Sequence, residues 1–195
     1  MKKSRKIVGV VLVLALALGA LIPAAAFALG EGTVECTVSG KLIALTVTDG
    51  SIAFGTVDLS ATKNSALYHD PNNVNGLTPA QTQTITNTGS VPEDFNMKTS
   101  NAIGGTPWTL HATTPDADVF TYGYLASATA YDGSGAIDSF TNWAAADSYV
   151  AGAGGSDVAA SGVKYLELEI GMPTSTTDGV EKTITVTVQA TEYTA

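Results

Sequence analysis

Only two side chains in this sequence titrate near neutral pH without help from their surroundings, His69 and His111, and they stand among eighteen carboxylates. Nucleophilic catalysis needs a base beside the nucleophile and a third group to orient it. His111 follows Trp108-Thr109-Leu110 and shares the outward parity of Thr109, which is the position of a solvated strand histidine. His69, in Tyr68-His69-Asp70-Pro71, reads as a loop residue entering a turn. There is no G-x-S-x-G elbow, zincin motif or phosphate-cradling glycine loop. The expectation is a protein without enzymatic activity and without a resident cofactor.

The carboxylates offer two other chemistries. Glu167 and Glu169 share one strand face about 7 Å apart, within the range of paired glycosidase acids, but strand alternation alone produces that spacing and predicts both in solvent. Asp116 with Asp118, and Glu93 with Asp94, are candidate ligands for Ca²⁺, which takes six to eight oxygens. Neither pair has the spacing of an EF-hand. Aromatic rings supply a third candidate chemistry, stacking on sugar faces, with Trp143, Tyr131 and Tyr149 in a Gly- and Ala-rich stretch as the residues to carry it. A glycan-binding or calcium-binding module therefore stands as the alternative to a purely structural protein.

The elements that would position these groups are strands. Period-two alternation runs through residues 165–170, where Leu166, Leu168 and Ile170 face one way, and through residues 183–190, where Ile184, Val186, Val188 and Ala190 do. Phe95 with Met97, Trp108 with Leu110, and Phe120 with Tyr122 and Tyr124 add inward pairs at strand spacing. Asp49-Gly50 predicts a hairpin that sets Val47 opposite Ile52 and Leu45 opposite Phe54. Residues 81–86 make a weaker strand. Residues 142–150 fit a helical turn or a loop equally, inside a long crossover spanning residues 132–162. Seven to nine short strands separated by turn signals predict an all-β fold, an antiparallel two-sheet β-sandwich of Ig-like or jelly-roll type.

The first 28 residues carry the three zones of a secretory signal. Lys2, Lys3, Arg5 and Lys6 form a basic start, an uncharged helix-forming stretch follows from Ile7 to Ile22, and Pro23 breaks it. Ala26-Phe27-Ala28 suits signal peptidase, so cleavage is expected before Leu29. The expected organisation is a signal peptide over 1–28 and a single sandwich domain over 29–195. Membrane contact is then limited to the signal before cleavage, and the destination is the cell surface or the extracellular space.

Beyond the signal only five lysines oppose the eighteen acids, a formal net charge of −13. Such a surface repels nucleic acid and anionic membranes and favours solubility. Cys36 is the only cysteine, which rules out an internal disulfide. The residues before it, Thr33-Val34-Glu35, do not form a lipobox.

In chain order, Ile52-Ala53-Phe54-Gly55-Thr56-Val57, the segment from Gln81 to Gly89, Trp108-Thr109-Leu110 and a Thr/Val-rich closing strand resemble the WxL-like all-β surface proteins of prokaryotes. That resemblance implies export and non-covalent association with the cell envelope. The family carries two W-x-L motifs, whereas this chain has one and its closing strand has no tryptophan. The chain also resembles secreted β-sandwich subunits of extracellular fibres, in which a segment such as Thr33 to Val38 would be lent to a neighbour. The partners expected from both are cell-envelope components or further copies of the same chain.

Overall fold

A computed structural model describes residues 40–135, 137 and 139–195. The expected signal sequence with Ala26, Ala28 and Leu29, the segment Thr33 to Val38 and Cys36 lie outside the described residues. Residues 40–195 form one unit, described by itself below.

Ten strands and no helix occur among the described residues. In chain order they are β1 (Leu45–Thr48), β2 (Thr62–Asn64), β3 (Gln83–Asn87), β4 (Glu93–Thr99), β5 (Thr109–Leu110), β6 (Val119–Ser127), β7 (Thr141–Asn142), β8 (Val150–Val158), β9 (Val163–Gly171) and β10 (Val186–Glu192). Seven belong to one sheet, ordered β1-β3-β9-β6-β5, with β2 also on β9 and β7 on β6; the second sheet is β10-β4-β8. All pairings are antiparallel except β5 on β6.

Both sheets contribute to one core, as expected of a sandwich. The larger sheet supplies Ile85, Leu110, Phe120, Tyr122, Leu166, Leu168 and Ile170, and the smaller supplies Phe95, Met97 and Val158. Val186, Val188 and Ala190 of β10 pack against that cluster while remaining half-buried. The alternation in residues 165–170 and in the Phe95/Met97, Trp108/Leu110 and Phe120/Tyr122 pairs thus places those apolar side chains inside.

The structure departs from the sequence expectations at several places. The Asp49-Gly50 turn forms, with both residues at positive φ (68° and 63°), the geometry of a type I′ turn. No ladder follows it. Residues 51–57 lie apart from β1, and glutamine side chains take the place of a partner strand: Ala53 N–H donates to Gln81 Oε1 (2.6 Å), and Gln83 Nε2 donates to the Ser51 carbonyl (3.1 Å). Ile52, Phe54 and Leu45 reach the core, but Val47 and Ile43, left without a covering strand, are exposed. The supposed crossover of residues 132–162 contains β7 and the nine-residue β8. Strand β10 starts later than the alternation suggests, because Thr183 pairs instead with Ile103.

Candidate functional site

The largest correction concerns Trp143. Its side chain is fully buried, stacked on Tyr122 (5.5 Å between centroids, 20° between planes) and tilted against Tyr124 (4.7 Å). Strand β7 pairs with Gly123 and Tyr124, and Trp143 N–H donates to the Tyr122 carbonyl, which swings the indole inward. A ring enclosed this way cannot stack on a sugar. Tyr131 donates to the Gly135 carbonyl, and the half-exposed Tyr149 sits beneath Lys98 Nζ (5.0 Å), so no platform joins the three rings.

The acid candidates are also dispersed. Glu93 is fully buried and accepts the Ala44 N–H at Oε1 (2.8 Å). Asp94 Oδ1 accepts from Ser156 Oγ and Asp157 N–H, and Asp116 Oδ1 from Ala117 N–H. Asp118 accepts Thr177 N–H and Oγ1, bonds that lower its pKa. Glu93 and Asp94 lie in β4 and Asp116 and Asp118 in the turn before β6, so the two pairs do not form one ligand set; Glu93 Oε2 is buried without a hydrogen-bond partner. Among the described residues no three His, Cys, Asp or Glu side chains are grouped to hold a metal. His111 is exposed, its Nδ1 accepting from Thr114 N–H (3.2 Å), and His69 pairs through its backbone with Asn73.

Glu167 is not in solvent, as alternation predicts, but buried at 2% exposure. Strands β2 and β3 both pair with β9, at Glu169–Gly171 and Val163–Leu166 respectively, and the chain between them loops off the sheet. The two ends of that loop meet over Glu167, where Ser65 Oγ donates to Oε2 (2.6 Å) and Thr82 Oγ1 to Oε1 (2.5 Å). Burial raises the Glu167 pKa and the two hydroxyl bonds oppose the rise. Glu169 is raised for the same reason, against a bond from Asn64. It lines a cavity of about 400 Å³ beside Asn72, Asn73 and Asn75. The hydroxyls and the mutually paired Asn64 and Asn73 amides fasten the loop to the sheet. Ser65 Oγ also accepts the Leu168 N–H (2.9 Å), so this hydroxyl is tied at once to the backbone and to the carboxylate of β9.

The feature that remains open is an edge and an adjoining cleft. The cleft, about 770 Å³, lies between residues 52–59 and 176–184 and is walled by Ile52, Phe54, Val57, Trp108, Val180 and Ile184. Its rim is set by Asp178, which accepts from Lys182 Nζ (2.6 Å) and from Thr106 N–H; the Lys182 bond leads in holding this carboxyl well below the ordinary range. Lys182 also lies over the Trp108 ring at 5.3 Å. From Ile184 the chain passes directly into β10.

Among the described residues β10 is an edge strand. Ser100 N–H donates to the Thr185 carbonyl and Tyr193 N–H to the Pro92 carbonyl, both at 3.0 Å, which fixes the phase of the β4–β10 ladder. Odd-numbered residues of β10 bond to β4, so the N–H and C=O groups of Val186, Val188, Ala190 and Glu192 point away from the sheet. Sequence reasoning found the apolar face of this strand and missed its edge position, since strand order depends on contacts far apart in the chain.

No family model matches this chain, and no curated protein or solved structure is significantly similar to it.

Proposed function

We propose that this chain is an exported structural or interaction protein of the cell surface or extracellular space, non-enzymatic, that works by strand addition along β10. The observation that carries the reading is the row of outward backbone groups on β10 beside an apolar cleft. Exposed edges of this kind are templates for another chain, and stable proteins usually blunt them. The signal-like first 28 residues and the resemblance to WxL-like surface proteins and secreted fibre subunits support the location and the class of partner, cell-envelope components or further copies of the chain. The enclosure of Trp143 weighs against a glycan platform as the alternative.

Fractionation of producing cells, combined with intact mass and light scattering of the purified protein, tests this. The expected result is a chain outside the cytoplasm, beginning at Leu29, that forms oligomers or co-purifies with envelope material. A cytoplasmic chain that retains Met1 and stays monomeric at high concentration would overturn it.

A further inference from the structure

Resting on that reading, we infer that the occupant of the β10 edge is β10 of a second copy, paired antiparallel about a two-fold axis at Gln189. The strand is self-complementary in three respects. First, its outward backbone groups belong to Val186, Val188, Ala190 and Glu192, and an antiparallel pairing centred on Gln189 sets Val186 against Glu192 and Val188 against Ala190, each pair exchanging two main-chain hydrogen bonds. This register overlaps the whole strand; any other shortens the pairing. Second, the side chains on the opposite face match, with Gln189 facing its own copy and Thr187 facing Thr191, pairs that are favourable across strands.

Third, charge permits it. The chain is strongly acidic, yet residues 183–191 carry no charge at all, and Glu192 is paired with Lys41. In the two-fold arrangement the two Glu192 side chains stand at opposite ends, about 20 Å apart by strand rise. Among the described residues no glycine, proline, lysine or bulge interrupts β10, and its one charge, Glu192, stands at its end. Symmetric pairing joins the two three-stranded sheets into one of six strands and closes on itself as a dimer.

A cysteine scan of the full exported chain, in a Cys36→Ser background, tests the register. Residue 189 faces itself in a non-hydrogen-bonded pair, with Cα atoms about 4.5 Å apart, inside the range a disulfide spans. Gln189→Cys is expected to give a near-complete covalent dimer on oxidation. Thr187→Cys alone is expected to assemble without cross-linking, since its two copies stand about 14 Å apart, and Thr187→Cys with Thr191→Cys restores the cross-link. Ala190→Pro removes an outward N–H without touching the β4 ladder and is expected to yield a folded monomer. A Gln189→Cys chain that assembles without cross-linking overturns this pairing and leaves strand addition by another segment standing. So does a chain with native Cys36 in which Gln189→Cys joins Cys36 of a neighbour. A parent chain that is monomeric at all concentrations defeats both readings.

Discussion

Strands β8 and β10 flank the same central strand β4, and both are edges, yet they are built in opposite ways. Strand β8 reads Val150-Ala151-Gly152-Ala153-Gly154-Gly155-Ser156-Asp157-Val158, with positive φ at Gly152, Gly155 and Asp157 and two register shifts along its pairing with β4. Side chains of β4 fill in for the disrupted ladder: Asn96 Oδ1 accepts Gly152 N–H, and Asp94 Oδ1 accepts Ser156 Oγ and Asp157 N–H. The outcome is a kinked border on which a straight partner cannot zip. Strand β10 keeps an unbroken seven-residue register, with backbone pairing along it. One side of the small sheet is closed by irregularity while the other is left ready to pair.

Substitutions that erase the irregularity of β8 should have the largest effect. A Cβ at Gly154 would come within 2.9 Å of the Phe95 Cβ, so Gly154→Val should destabilise the fold by about 3 kcal/mol. Chemical denaturation checks this, and an unchanged midpoint would mean that the glycine is there for other reasons than space. On β10 the parity of the ladder decides the outcome. Gln189→Pro deletes a bond to β4 and should cost about 2 kcal/mol, whereas Ala190→Pro, compared at a dilution where the parent is dissociated, should leave the melting temperature nearly unchanged. Equal losses for the two prolines would refute the assigned phase. Asp94→Ala frees the donors of Ser156 and Asp157 and should cost about 1 kcal/mol, read out as faster amide exchange confined to β8.

The smallest effect extends the contrast to the covered outer face of the larger sheet. Burial raises the Glu167 pKa in the folded state, so the native protein holds its proton to higher pH than the unfolded chain does. Its contribution to stability therefore falls as pH rises from the ordinary carboxylate range through the raised value, and is level above it. Glu167→Gln should remove that dependence, so its stability relative to the parent should climb across the same window. A difference that is flat with pH would show that the carboxylate titrates normally.

The parts of this fold that were legible in the sequence are those in which large apolar residues alternate with polar ones. Leu166, Leu168 and Ile170, Phe95 and Met97, and Phe120 and Tyr122 announce their faces locally. Strand β8 was hidden because five of its nine residues, Ala151 to Gly155, are glycine or alanine and carry no face to read. The space against Phe95 explains that composition at Gly154, and the contact with Lys164 explains it at Gly155. The burial of Glu167 was hidden because its cover comes from Ser65, 102 residues earlier. At Asp49-Gly50 the turn was legible and the pairing was not, since side-chain amides from residues 81 and 83 replaced the expected ladder. The edge position of β10 leaves one trace in the sequence, the uncharged run 183–191 in an acidic chain.

The enclosure of Trp143 and the near-burial of Trp108 (6% exposed) shield both indoles of the chain from water. Their fluorescence should be blue-shifted in the native protein and move to longer wavelength on unfolding. The stacked Tyr122–Trp143 pair should add a strong near-ultraviolet dichroism band that is lost with it. The domain thus carries its own optical gauge of core integrity, needing no label.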